Sequence, residues 1–270
     1  MNITFIGGGN MATALIGGML QQGFAAAGLT VVEPDPAKRD ALQQQFGVQT
    51  QAAIETGLPA CDVILIAVKP QSMKAVAQQL APHLGKQLII SIAAGIQVNT
   101  LATWLGGYTQ IVRVMPNTPA LVRAGMSGLY APPDVDTGHR AQAEQIMRAV
   151  GQVLWVAQET QIDAITAMSG SGPAYVFYFM EAMMAAGRAL GFNDDDARKL
   201  TYATFEGAIK LALDSPDDAA TLRAKVTSKG GTTEAALHAM EAAGVKQGID
   251  KGIAAANHRG QELGAILGQQ

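Results

Sequence analysis

The sequence predicts an α/β protein, with an amino-terminal Rossmann-type parallel sheet domain followed by an all-helical domain. Up to about residue 157, short β-branched runs alternate with longer segments of helical period, the pattern of βαβ units around a parallel sheet. Beyond residue 159 only helical periodicity continues. The 270 residues are enough for one such domain and a smaller partner, so we expect domains at 1–158 and 159–270.

Most of the predicted strands are short and apolar. The run from Val63 to Val68 shows no alternation of polar and apolar residues, as expected of a central strand covered by helices on both faces. In the first domain we predict strands at 3–6, 30–33, 63–68, 88–92, 111–114, 127–131 and 153–156, and a helix at 138–150. In the second domain we predict helices at 161–190, 193–213, 217–224, 232–243 and 245–267.

Composition argues against several kinds of partner. A net charge of −3, from 19 basic and 22 acidic residues, provides no basic excess for a phosphate backbone, so we expect no nucleic-acid partner. The single cysteine, Cys61, favours a reducing compartment. The amino terminus lacks a basic segment, and no apolar run reaches the ~20 residues that span a bilayer, so we expect a cytoplasmic protein with no membrane segment. We predict no metal site.

One helical segment of the second domain is apolar almost all round. Residues 174–190 carry aromatic, methionine and alanine side chains around most of the helix, and such a helix must be buried on most sides. The short helical domain offers little core to enclose it. We therefore predict a homodimer, or a higher oligomer built from dimers, through this domain. The alternative is a central helix in a monomeric bundle.

A glycine-rich turn follows the first predicted strand. The segment Ile6-Gly7-Gly8-Gly9-Asn10-Met11-Ala12 fits the G-x-G-x-x-A form of the dinucleotide fingerprint, between a strand and a helix. Gly7 would form the tight turn, Gly9 would let the backbone approach a pyrophosphate, and Ala12 would allow close packing of helix on strand. The free N–H groups of the helix favour an anion, so we predict that this segment binds a nicotinamide dinucleotide.

Cofactor preference depends on the end of the second predicted strand. An acidic residue about 20 positions after the glycine turn usually binds the ribose diol of NAD, and Glu33 is the candidate. A carboxylate there disfavours the 2′-phosphate of NADP. Lys38 and Arg39 follow in the next helix and could fold back to pair with that phosphate, or could simply lie on a solvated helix face. The sequence therefore leaves the choice between NADPH and NADH open.

Five further segments carry a family resemblance. Three follow predicted strands, at the edge where an open α/β sheet binds its ligand, and two lie in the helical domain. They are Ala67-Val-Lys-Pro70, Ser91-Ile-Ala-Ala-Gly95, Arg113-Val-Met-Pro-Asn-Thr-Pro119, Ser169-Gly-Ser-Gly-Pro-Ala-Tyr175 and Val226-Thr-Ser-Lys-Gly-Gly-Thr-Thr-Glu234. This combination, which extends over essentially the whole chain, resembles the 1-pyrroline-5-carboxylate reductases.

The resemblance implies an activity and two sets of site residues. Enzymes of this family reduce 1-pyrroline-5-carboxylate to L-proline, the last step of proline synthesis, by hydride transfer from NADPH or NADH to the C=N carbon. The implied cofactor contacts are Ala67, Val68, Lys69 and Pro70, with Ala93, Ala94 and Gly95 near the nicotinamide. The implied substrate-binding residues are Gly230, Gly231, Thr232, Thr233, Asn117 and Ser169.

Within the implied substrate site, the N–H groups of Gly230, Gly231 and Thr232 would hold the carboxylate. Thr233 would lie beside the ring nitrogen as the catalytic residue. Glycines and hydroxyls ahead of a helical run also form an anion site on physical grounds, although an ordinary N-cap with a glycine lead-in would look the same.

The predicted chemistry requires orientation more than a strong acid, because the cofactor supplies the hydride. A neutral hydroxyl such as that of Thr233 can accept from an iminium N–H or donate to the amine that forms. The histidines therefore need no catalytic part, and we expect surface or helix-end positions for His83, His139, His238 and His258.

The chain departs from the family pattern at two places. Many members have a turn suited to a 2′-phosphate where this chain has Glu33-Pro-Asp-Pro36, which puts a strict NADPH preference in doubt. Some relatives have asparagine at the position of Lys225, so no polar contact is transferred to it.

Two other functions compete with the reductase. A β-hydroxyacid dehydrogenase would be expected to place a lysine on the first long helix of the second domain, and residues 169–187 contain none. A non-catalytic dinucleotide-binding regulator would keep the glycine turn of Gly7–Ala12 but would not need the glycines and threonines of 230–233.

Overall fold

Eight strands form one sheet in this computed structural model, which describes residues 1–54 and 58–268. The strand order is β3-β2-β1-β4-β5-β6-β7-β8, and every neighbouring pair is parallel except β6 and β7. The strands are β1 (Ile3–Ile6), β2 (Leu29–Val32), β3 (Gln49–Gln51), β4 (Val63–Ile66), β5 (Leu88–Ser91), β6 (Ile111–Met115), β7 (Gly125–Tyr130) and β8 (Gly151–Trp155).

Burial explains the apolar strand pattern. Every residue of β1, β2, β4 and β5 is buried, because helices cover both faces of the sheet. All seven predicted strands are present, with bounds that differ by one or two residues. The polar edge strand β3 was not predicted, and the antiparallel pairing of β6 with β7 differs from the expected parallel sheet.

The helices flanking the sheet belong to two apolar clusters, one on each face. One cluster includes residues of α1 and α5, and the other includes residues of α3 and α4 together with Leu267 near the end of α11. The helices are α1 (Asn10–Gln21), α2 (Pro36–Phe46), α3 (Met73–Leu80), α4 (Val98–Trp104), α5 (Thr137–Arg148), α6 (Thr160–Ile165), α7 (Gly172–Ala189), α8 (Asp194–Asp214), α9 (Ala219–Lys225), α10 (Thr232–Ala242) and α11 (Val245–Gly268).

The predicted single helix over 161–190 is wrong, because a turn of π-helix at Thr166–Gly170 separates α6 from α7. Proline lacks an N–H and clashes with the preceding helical turn, so Pro173 fits only near the start of a new helix. Gly170 also packs tightly, since a Cβ there would lie 2.8 Å from Met115 Cε. The other predicted helices agree within one or two residues, and residues 160–268 contain no strand.

The chain folds into two units, one formed by Met1–Pro173 with Ala255–Gln270 and the other by Ala174–Ala254. The predicted boundary at residue 158 stays a prediction. The second unit is all-helical, and only Ala197 and Thr201 are buried in it. None of the helices in the described part of the chain is long and apolar enough to cross a membrane.

Candidate active site

The predicted cofactor-binding segments follow residues that lie side by side in neighbouring strands, in one row across the sheet. The register pairs Ile6 with Val32 and Ile66, Ile66 with Ser91, and Ser91 with Arg113. The residues that follow this row are Gly7, Glu33, Ala67 and Ile92, so the structure brings together four segments that the sequence separates. This edge of a parallel sheet is the usual ligand site of open α/β folds.

The glycine turn between β1 and α1 combines tight packing at Gly7 with open space at Gly9. Gly7 has a φ of 100°, and a Cβ there would lie 2.9 Å from the Ala67 carbonyl oxygen, so only glycine fits. A Cβ on Gly9 would meet nothing within 4 Å, and Ala12 is fully buried against the sheet. The first turn of α1 has no acidic residue and no side-chain cap, which leaves its N–H groups for a ligand. Of the remaining predicted contacts here, Ile6 is buried, Asn10 is exposed and Met11 is half-buried.

Glu33 joins the glycine turn to the end of β2. Its carboxylate is buried, with 6% of the residue exposed. Oε2 accepts from the Gly8 N–H at 2.8 Å, and Oε1 accepts from the Asp35 N–H at 3.1 Å. Asp35 in turn caps α2 by accepting from the Ala37 N–H at 2.9 Å. The acidic segment after β2 is therefore a built turn, and the contact of Glu33 with a ribose stays a prediction.

Arg39 folds back along this turn. Its Nη1 donates to the carbonyl oxygens of Glu33 and Pro34, at 2.7 and 2.8 Å, whereas Lys38 is exposed. A guanidinium and a carboxylate therefore lie at the same strand end. A guanidinium suits a 2′-phosphate and a carboxylate suits a ribose diol, so the prediction that either NADPH or NADH is used stays a prediction.

The segment after β4 lies against the glycine turn. Ala67 N–H donates to Ile6 O at 2.8 Å, and the Val68 Cγ1 would lie 3.2 Å from a Cβ on Gly7. Lys69 is exposed, and Pro70 begins a short 3₁₀ turn ahead of α3. The structure thus places Ala67 and Val68 next to Gly7.

The loop after β5, residues 92–97, packs against the end of α11. Ala93 and Gly95 are buried and Ala94 is half-buried. Gly95 has a φ of 77°, and a Cβ on it would lie 3.3 Å from Leu267 Cδ1 and 3.5 Å from Gly264 N. The left-handed backbone conformation therefore favours glycine at this position, and the loop packs closely on the end of α11.

Asn117 and Ser169 lie next to each other, and the contacts of Asn117 are made within the chain. Asn117 Nδ2 donates to the Ser169 carbonyl at 3.1 Å, while Asn117 Oδ1 accepts from the Met126 N–H at 2.9 Å. The side chain thus ties the π-turn to β7. The Ser169 hydroxyl is inaccessible to solvent and has no hydrogen-bond partner among the described residues.

In the second unit, Gly230–Thr233 lead into α10. Gly230 has a φ of 74°, and Gly231 is the N-cap residue without a side-chain cap. The Gly230 N–H donates to Glu234 Oε2 at 2.7 Å, and the Gly231 N–H donates to Ser228 O at 3.0 Å. Two of the three N–H groups predicted for the substrate carboxylate are therefore engaged within the chain. The N–H groups of Thr232 and Thr233 belong to the first helical turn, which leaves such groups without an intrahelical partner.

Sequence reasoning missed the carboxylates around Arg113. Glu159 and Asp163 both bond to its guanidinium, although they lie 46 and 50 residues away along the chain. It also missed the contact of Glu234 with Gly230. An acidic residue at the third helical position that reaches back to an N–H is a known capping pattern, so that signal was present in the sequence.

A doubly wound sheet with a glycine-rich turn after its first strand defines the class of Rossmann-fold dinucleotide-binding proteins. The comparisons with known proteins narrow this class. Residues 159–263 match the family model for pyrroline-5-carboxylate reductase dimerisation, and residues 2–95 match the one for NADP oxidoreductase, coenzyme F420-dependent. The chain belongs to the pyrroline-5-carboxylate reductase family.

Individual relatives are similar to this chain over nearly their whole length. The pyrroline-5-carboxylate reductase of Pseudomonas aeruginosa is 47% identical, over 99% of this chain and 98% of that protein. The solved structure of the pyrroline-5-carboxylate reductase from Coxiella burnetii has a TM-score of 0.91 at 42% identity, covering 97% and 98% of the two chains. The Plasmodium falciparum enzyme, solved with NADP bound, has a TM-score of 0.88 at 27% identity, covering 98% of each chain.

Replacing Glu33 by glutamine is expected to raise the preference for NADPH over NADH. The amide keeps an oxygen for the Gly8 N–H, loses the acceptor for the Asp35 N–H, and removes a negative charge that would repel a 2′-phosphate. The ratio of kcat/KM values for the two cofactors should rise about 5- to 30-fold, or ~1–2 kcal/mol. Asp40→Asn, an exposed acid in α2, serves as the control. A ratio unchanged in Glu33→Gln would mean that this carboxylate does not face the ribose.

Proposed function

We propose that this protein reduces 1-pyrroline-5-carboxylate to L-proline in the cytoplasm, with NADPH or NADH as the hydride donor. The observation that carries the proposal is the match to pyrroline-5-carboxylate reductases over nearly the full length of the chain. The alternative of a β-hydroxyacid dehydrogenase is disfavoured, because residues 169–187 contain no lysine that could act as its acid or base.

The residues of the first unit fit a nicotinamide dinucleotide. The open space at Gly9 and the uncapped start of α1 suit a pyrophosphate, and Glu33 and Arg39 at the end of β2 would lie beside its ribose. Such a cofactor supplies the hydride when bound. The chain's own contribution is to orient the two reactants and to exclude water.

The residues of the second unit fit a small carboxylate with a ring nitrogen. The N–H groups at the start of α10 favour an anion. The neighbouring Thr233 hydroxyl would accept from the iminium N–H of a protonated substrate, or donate to the nitrogen once it has taken the electron pair. When the imine arrives protonated, hydride transfer to its carbon yields the neutral amine, so no strong acid is required.

Paired assays with NADPH and NADH test the activity. Cofactor oxidation on addition of 1-pyrroline-5-carboxylate should be accompanied by equimolar L-proline. A protein that binds the dinucleotide but forms no proline would instead be a non-catalytic regulator.

Thr233→Ala is expected to lower kcat by about one to three powers of ten, because one positioned hydroxyl is lost. The backbone N–H groups remain, so inhibition by proline should largely persist. Thr233→Ser restores the hydroxyl and should recover most of the rate. Near-native kcat in a well-folded Thr233→Ala variant would mean that the substrate nitrogen bonds to water or to another hydroxyl, such as that of Thr232, and not to Thr233.

Glu234→Ala is expected to lower KM for the substrate about three- to tenfold, with kcat little changed. The reason is that the Glu234 carboxylate takes the Gly230 N–H and carries the same charge as the substrate. Glu234→Gln keeps the length and removes the charge, so it should be intermediate. Glu241→Ala, on the same helix, is the control. A rise in KM for Glu234→Ala would show that the Glu234 carboxylate stabilises the turn and does not compete with the substrate for the Gly230 N–H.

We also infer that the second unit forms a homodimer. Its helix α7 has no buried residue, and Phe177 and Tyr178 are 63% and 73% exposed. An apolar groove of about 520 Å³ lies between α7 and the start of α11, lined by Tyr175, Phe179 and Ile249 among others. A unit of this size with two buried side chains cannot offset the entropy cost of its own folding, so a second copy must cover it.

The dimer interface should exceed ~2,000 Å² and should be isologous. Sedimentation at micromolar concentration is expected to give a dimer, which Phe177→Asp should weaken by placing a charge in the apolar interface. Leu154→Asp, at an exposed position of β8, should leave the dimer intact. A well-folded monomer of the unaltered protein would disprove this assembly.

A further inference from the structure

An ion cluster around the buried Arg113 lies at the carboxyl edge of the sheet, in the first unit, and its member Glu159 is partly exposed. The Arg113 side chain on β6 is 2% exposed. Its Nη1 contacts Glu159 Oε1 at 3.1 Å and its Nη2 contacts Asp163 Oδ1 at 2.8 Å. Removing one partner of a buried ion pair is costly, so the cluster fixes these three residues firmly relative to one another.

Glu159 makes one contact that Asp163 does not. The same Oε1 atom accepts from the Val98 N–H at 2.7 Å. Val98 is the first residue of α4, and the preceding Gln97 provides no side-chain cap. Glu159 therefore caps α4 from 61 residues away along the chain.

This cap holds the far end of the loop at residues 92–97. The near end of the loop is set by Ser91, which pairs with Arg113 in the sheet register. The middle is set by Gly95, which packs on Leu267 and Gly264. Both ends of the loop are thus tied to Arg113, one through the sheet and the other through a single carboxylate oxygen.

We propose that Glu159 is a positioning residue for hydride transfer, acting through the Val98 N–H to hold the loop that includes Ala93, Ala94 and Gly95 against the nicotinamide. The proposal rests on the proposed function for the place of the nicotinamide. Glu159 itself touches neither reactant. Asp163 also bonds to Arg113 but makes no bond to Val98. A variant of Asp163 should therefore weaken the ion cluster without releasing the loop.

Variants of the full-length protein test this division. Glu159→Ala should raise the Kd for NADPH and NADH about tenfold and lower kcat by a similar factor, because a loosened loop no longer orients the ring. Glu159→Gln should restore most of both, since its amide oxygen still accepts from Val98. Asp163→Ala should lower the melting temperature at least as much as Glu159→Ala, yet change Kd by less than about twofold.

Val98→Pro tests the contact without disturbing the ion cluster. Proline is tolerated at the first helical position, and Gln97 already has the extended backbone, φ −76° and ψ 152°, that precedes proline. The variant loses only the N–H and part of a side chain. It should reproduce the weaker cofactor binding with a near-native melting temperature, whereas Val98→Ala, which keeps the N–H, should not.

Native cofactor affinity in Val98→Pro would overturn the proposal, even if Glu159→Ala failed to fold. Equal losses of affinity in Asp163→Ala and Glu159→Ala would also overturn it, because they would indicate a purely structural role. The Kd measurements need no substrate. An absence of proline formation by the unaltered protein would therefore refute the proposed function and leave this test intact.

Discussion

The parallel register of β2, β1, β4, β5 and β6 is the constraint on which the rest of the structure depends. Five residues, Val32, Ile6, Ile66, Ser91 and Arg113, form one row across five strands, and the chain leaves the sheet after this row in four successive turns. A shift of one residue in any strand would turn its side chains to the opposite face. The glycine turn, Glu33, the loop after β5 and the buried arginine keep their mutual positions because the row is fixed.

Close packing at the row leaves little freedom in residue choice. The Ala67 carbonyl lies where a side chain on Gly7 would be, and the Glu33 carboxylate spans from β2 to Gly8. Glu33 therefore has a structural bond besides its predicted contact with the ribose. Cofactor preference and the stability of the glycine turn depend on the same side chain. A substitution of Glu33 that changed the preference would also remove or alter a bond that holds the turn.

The sequence was sufficient for features that depend on local pattern. The buried strands were predictable because short, continuous apolar runs are typical of a sheet covered on both faces, and the glycine turn because its motif is contiguous. β3 could not be predicted, since its residues Gln49–Gln51 are polar and pair only through the backbone. The break at Thr166–Gly170 was missed because the segment is short and remains helical, although the Ser-Gly-Ser-Gly-Pro sequence that follows Met168 contained the signal. Glu159 and Asp163 resemble ordinary charged helix residues until the fold brings them to Arg113.

The packing of Gly95 on Gly264 and Leu267 has a consequence for biosynthesis. A chain emerging from the ribosome folds its amino-terminal part first, and most of the nucleotide-binding sheet is available early. The apolar cluster that includes β5 and α4 also includes Leu267, however, so its surface stays partly uncovered until the final helix has been translated. The loop after β5 therefore gains its packing partner only when the last turns of α11 are synthesised, well over a hundred residues later. Nascent chains stalled before this point would expose an unfinished apolar surface to chaperones.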